Sequence, residues 1–203
     1  MLSSIHPFGE RSRNSRWWLT ISSYLFGSVA GGITMGAIAG VVGLGVRQVV
    51  GTHVALLILG IAGLIGLAAD LGLGGLRVPG IHRQVNERWL TQYRGWVYGI
   101  GFGFQLGLGV VTIVTTSLVW ITWLAAMLTG SLASAMLIGA AFGLARGSFI
   151  FSTAGVDQPE QLRSLHRSIE HHAATVHRIT VAAALALAAA TSAAGILTIS
   201  GAV

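Results

Sequence analysis

The chain contains no cysteine. Disulfides, thiolate metal sites and thiol redox relays are excluded outright by that absence. Lysine is missing too, so all twelve basic residues are arginine, and proline occurs only three times in 203 residues. Charge of either sign is scarce: 9% of residues are charged, against roughly a quarter in an ordinary soluble domain. What fills the space is apolar, with 53% hydrophobic residues and a mean hydropathy of +0.75. A water-facing fold cannot bury such an excess, so the expected class is all-α, a polytopic bundle of membrane helices in a single integral membrane domain spanning 1–203.

The formal charge of +6 invites a nucleic-acid reading. The arginines, however, lie between apolar runs, where they set orientation and meet anionic headgroups. No aromatic-basic surface motif accompanies them, so no nucleic-acid partner is expected.

Residues 1–16 are polar, with Arg11, Arg13 and Arg16 against Glu10, the pattern of a cytoplasmic leader. The apolar run from Trp17 to Val46 would make roughly 45 Å of helix, half again as long as a hydrocarbon core of about 30 Å. It must tilt or break, and Gly31-Gly32 marks the place for a break or for close approach of a neighbour. A second run extends from about Val49 to Gly74, with Asp70 its only charge. The loop 76–94 holds four arginines, and its Val85, Trp89 and Tyr93 recur at helical spacing, as in an interfacial helix. A third overlong run, Gly95 to about Leu128, carries glycines 99, 101, 103, 107 and 109 in its first half, and a fourth covers about Leu132 to Ile150. In the loop 151–178, Asp157, Pro159 and Glu160 form a helix start. The amphipathic helix behind it should run straight into a last span near Ile179 to Val203.

The leader and both long loops are arginine-rich, whereas the turn near Thr129-Gly130-Ser131 is uncharged. Five spans with a cytoplasmic N-terminus in the plasma membrane satisfy the positive-inside rule, with Arg47 the exception. Six spans would require an overlong run to fold back as a hairpin. Ser28-Val29-Ala30 also fits a signal-cleavage pattern, but the apolar run continues beyond it, and a retained span is expected.

The two overlong runs form a candidate internal repeat: Trp18 through Phe26-Gly27 to Thr34 parallels Trp96 through Phe102-Gly103 to Thr112. Duplicated, interrupted spans are a transporter pattern. The stretch Arg94-Gly95-Trp96-Val97-Tyr98-Gly99 through Gln105-Leu106-Gly107 resembles the start of the fourth span in the CcdA/DsbD transmembrane family, and Tyr24-Leu25-Phe26-Gly27 is similar to the start of its first. The resemblance implies a scaffold that passes reducing equivalents through one cysteine per repeat, each usually in a Pro-Cys pair. The matching stretches here read Gly31-Gly32-Ile33-Thr34 and Gly109-Val110-Val111-Thr112. With cysteines and prolines missing, the redox chemistry does not carry over.

Polar groups inside spans are costly and hence informative. The third run holds Gln105, Thr112, Thr115, Thr116 and Ser117, and Thr34 occupies the corresponding place in the first. Hydroxyls and an amide can line a solute path, or serve as packing glue. Asp70 is the candidate for ion or proton binding. His166, His171, His172 and His177 lack the spacing of helical ligand pairs, so no metal is expected. With no nucleophile-elbow, phosphate-loop or zinc-protease pattern, neither a cofactor nor an enzyme activity is expected. The leading expectation is a small transporter or permease-like protein on a CcdA-like scaffold, a homo-oligomer or bound to a larger membrane protein. The alternative is a non-transporting accessory or assembly subunit of a larger membrane complex.

Overall fold

The computed structural model describes residues 5, 7–12, 15–80, 92–112, 114, 116–156 and 158–200. Among them the chain is all-helical, with no strand. A short helix α1 (Pro7–Ser12) precedes α2 (Trp17–Val46), α3 (Thr52–Asp70), α4 (Gly95–Leu108), α5 (Leu118–Leu128), α6 (Leu132–Ser148) and α7 (Pro159–Ser200), with 3₁₀ turns at Leu73–Gly75 and Phe149–Thr153. Among the described residues three helical segments are, by length and composition, long and apolar enough to cross a membrane: Trp17–Val46, Thr52–Asp70 and Leu132–Thr153. Large apolar side chains such as Val41, Ile61, Leu64 and Leu137 point outward from them. Water would penalise that exterior, and lipid would not.

The first overlong run is one unbroken helix of 30 residues. Its small residues serve close approach, and no break occurs at Gly31-Gly32. Four of the five glycines of α4 recur every fourth residue, at 95, 99, 103 and 107, and these four are buried. They step along α2 in the same direction as it runs, with Gly99 against Thr20, Gly103 against Tyr24 and Gly107 against Ser28. On another face of α2, Ala135, Gly139, Gly143 and Gly147 of α6 repeat the four-residue step, here antiparallel. A methyl on Gly32 would lie 2.0 Å from the Gly139 carbonyl oxygen, and one on Gly139 would lie 2.1 Å from that of Gly32. Only glycine on both sides permits this backbone contact. Ser28 adds a buried hydrogen bond of 2.7 Å from its Oγ to the Gly143 carbonyl. The helix α2 is thus the central post, clasped by α4 and α6.

The third run differs from the expected single span. It is two half-helices, α4 (ending at Leu108) and α5 (starting at Leu118), and the described residues between them, 109–112, 114, 116 and 117, lie outside either helix. Since Gly107 meets Ser28 and Gly32, the break falls level with the middle of α2. The candidate repeat therefore pairs a continuous helix with an interrupted one. The α7 helix runs unbroken from the polar loop into its apolar end, as expected, and its C-terminal part packs antiparallel on α3 with Gly60 against Ser192 and Gly63 against Ala188. Val85, Trp89 and Asp157 lie outside the described residues.

Candidate functional site

The break between α4 and α5 begins at Gly109, whose φ of +76° lies in the left-handed region that L side chains rarely adopt. Its Cα side is walled by Trp123 and Phe142, whose rings meet edge to face at 4.8 Å. Stopping a helix here leaves carbonyls without intrahelical partners at the end of α4 and N–H groups without them at the start of α5. Two charged side chains from other helices meet these ends.

Arg146 of α6 sits over the Phe142 ring, 5.5 Å from its centroid. Its guanidinium donates to the Gly109 carbonyl and to the Thr112 Oγ1, each at 3.4 Å. Asp70, the last residue of α3, takes the other end. Its carboxylate accepts the Ser117 backbone N–H at 2.8 Å, the Ser117 hydroxyl at 2.7 Å and the Thr116 hydroxyl at 3.0 Å. A cation at a helix C-terminus and an anion at a helix N-terminus are the two favourable signs for the helix dipole. The signs match at both ends of the break, so the interruption is charge-compensated.

The sequence-predicted residues divide on this geometry. Asp70, Thr112 and Thr116 are brought together along the break. Thr34 is exposed on α2, and its hydroxyl donates to the Ala30 carbonyl of its own helix at 2.8 Å. Gln105 is half-buried on α4, one turn before the break. Thr115 lies outside the described residues. Among the described residues no three histidine, aspartate or glutamate side chains converge as a metal site would need.

Two charged residues escaped the sequence reading. Arg146 stood inside the fourth apolar run, and an arginine within a span is itself a signal. Glu10 looked like part of a solvated leader, yet it is fully buried. It accepts hydrogen bonds from Thr20 Oγ1 at 2.8 Å and from the Tyr98 hydroxyl, pinning α1 beneath α2 and α4. Its neighbourhood is reinforced by Ile5, which is buried with Ile21, Tyr24, Phe102 and Ile150, and whose carbonyl accepts from Thr153 Oγ1 at 3.1 Å.

Comparison with known proteins bears on what such a bundle serves. The chain is 35% identical over 157 residues to a protein of Paracoccus denitrificans, covering 71% of this chain and 53% of the relative. It is 32% identical over 150 residues to one from Methylorubrum extorquens, 72% of this chain and 51% of the relative. A Paracoccus versutus relative is 29% identical over 163 residues, 71% of this chain and 54% of the relative. All three are methylamine utilization proteins MauF. The chain spans about half the length of these curated relatives. No family model matches, and no solved structure matches.

MauF similarity corrects two expectations. The relatives are not CcdA or DsbD proteins, and the glycine spacing at 99–107 that carried the resemblance is the α4 packing face against α2. The transporter or permease-like reading falls with it, because the relatives are named for methylamine utilization and the alternative, accessory reading accords better with them.

Proposed function

We propose that this chain is a MauF-like accessory or assembly subunit of a larger membrane complex that serves methylamine utilization, without transport or catalysis of its own. The observation that carries the reading is the similarity to MauF proteins over about 71% of the chain. The clamped break supports it, because Asp70, Thr112 and Thr116 spend their polar groups on helix ends and act as a scaffold. In this reading the chain is a single multi-pass domain in the plasma membrane with a cytoplasmic N-terminus, and the arginines of the leader and long loops lie on the inside. The polar half of α7, where Arg167, Glu170 and His171 are exposed, then projects into the cytoplasm within reach of a partner.

Deletion of the gene in the organism that encodes it, with growth and uptake measured separately, tests the proposal. Growth on methylamine as sole nitrogen source should fail while growth on ammonium continues, and uptake of labelled methylamine should remain at the parental rate. Unimpaired growth on methylamine would overturn the proposal, and so would a growth defect fully accounted for by lost uptake.

A further inference from the structure

The polar half of α7 stands clear of the bundle. Ser164, Arg167, Glu170, Thr175, Val176 and Ile179 lie on different sides of it, and each is exposed. At 42 residues the helix is about 63 Å long, roughly twice the thickness of a hydrocarbon core. Its polar half continues the axis of the apolar half and does not lie flat among headgroups, so a membrane surface does not account for the apolar residues at 162, 165 and 169.

The sequence of that half repeats in sevens. Leu162, Leu165, Ile169, His172, Val176 and Ile179 follow at alternating spacings of three and four, the a and d positions of a coiled-coil seam. The repeat runs on into the apolar half as Ala183, Ala186 and Ala190, all exposed, where small residues let a second helix come close. The side of α7 that packs on α3, through the buried Ala184 and Ala188 and through Ser192, takes the b, f and c positions of the same repeat. The seam is therefore a different face, and at Val176 and Ile179 it leaves apolar side chains 55% and 63% exposed.

Charge decides what covers it. The e and g positions beside a seam select the partner through their charges, and here they are Gln161, His166, Ser168, Ala173, Thr175 and Thr180. Every arginine and glutamate of this half (Glu160, Arg163, Arg167, Glu170 and Arg178) falls at b, c or f instead. Nothing at the flanks specifies a different, complementary helix, and two identical helices meet there without like-charge repulsion. We infer that α7 pairs with α7 of a second copy of this chain as a parallel, in-register coiled coil along the 162–190 seam. His172, the one polar residue in the seam, then faces its own counterpart and fixes the register. Arg167, Glu170 and His171 stay on the outside of the pair.

The pairing is independent of the accessory role, and its parallel alignment rests on the membrane embedding, which gives both copies of α7 one direction. Because the chain has no cysteine, single cysteines report alone. The full chain carrying Val176→Cys or Ile179→Cys is oxidised mildly in its native membranes, beside Arg167→Cys and Glu170→Cys, which lie off the seam and are also exposed. The seam variants should yield a disulfide-linked species of twice the chain mass and the off-seam variants should not, because only a and d positions face their own counterparts closely enough. Val176→Glu sets two like charges in the seam and should abolish the Ile179→Cys crosslink. Val176 lies off the α3 face, so that variant should keep the parental circular dichroism. Equal crosslinking on and off the seam, or none at Val176→Cys and Ile179→Cys, would overturn the pairing. Disulfides from the seam to a different protein in place of a second copy would overturn the assignment of the occupant. A chain that stays monodisperse without detergent would overturn the embedding itself, a failure distinct from lost pairing.

Discussion

Asp70 and Arg146 stand at opposite ends of one interruption, the carboxylate on the Ser117 N–H that opens α5 and the guanidinium on the Gly109 carbonyl that closes α4. They come from different helices and touch different residues, yet each neutralises what the other leaves. The break can persist in an apolar surrounding because neither half-helix ends in bare backbone.

Removing the anion should therefore cost more than removing a surface charge. Asp70→Ala deletes three hydrogen bonds to a carboxylate and should lower stability by about 3 kcal/mol. Asp70→Asn keeps an acceptor for Ser117 and loses mainly the charge at the helix end, about 1 kcal/mol. Melting in detergent of the two variants beside the parent chain measures the ordering.

The cation should control access to the break. The natural absence of cysteine lets Thr112→Cys report alone, at a position that is 7% exposed. That thiol should resist a small impermeant maleimide in the parent background and become reactive when Arg146→Met is added. Equal reactivity in the two backgrounds would show that Arg146 does not hold the segment.

The α2–α6 contact makes a sharper prediction about size. Gly32→Ala would drive a methyl to 2.0 Å from the Gly139 carbonyl oxygen, so the helices must separate, at a cost of about 2–3 kcal/mol. Gly45 lies on the same helix with nothing within 4 Å of such a methyl. Gly45→Ala should change stability by no more than about 0.5 kcal/mol. Comparable melting of the two variants would contradict the packing described.

Glu10 should act as a latch for α1. Glu10→Ala leaves Thr20 and Tyr98 without their shared acceptor, so trypsin should cut after Arg11 about tenfold faster or more, the factor corresponding to a loss of about 1.4 kcal/mol in local stability. Glu10→Gln, which keeps an acceptor oxygen, should fall between. An unchanged cleavage rate in Glu10→Ala would mean that α1 is held by Ile5 and its neighbours alone.

Helix class and the positions of most apolar runs were legible because composition and run length report directly on burial in lipid. The continuity of α7 was legible for a similar reason, since the helical spacing in its polar half passes into the last apolar run without a breaker. Gly31-Gly32 and Gly109 were not separable by sequence. Both are glycine in an overlong run, but one meets the backbone of Gly139 and stays helical while the other takes a positive φ. That difference is set by neighbouring helices far away in the chain. Asp70 and the Thr112–Ser117 stretch were marked as polar groups in apolar runs, but the bonds from Thr116 and Ser117 to Asp70 join positions 46 and 47 residues apart. Arg146 and Glu10 were overlooked because one was absorbed into a hydrophobic average and the other into a charged leader. In each case the partner that explains it comes from a distant helix.

The most direct test of the accessory reading is isolation of the tagged chain from membranes of methylamine-grown cells in mild detergent, with its mass and composition determined by light scattering and quantitative mass spectrometry. The account predicts stoichiometric recovery with a larger membrane protein whose production depends on methylamine. Recovery of the chain alone, or only with further copies of itself, from protein that melts as a folded species would contradict it.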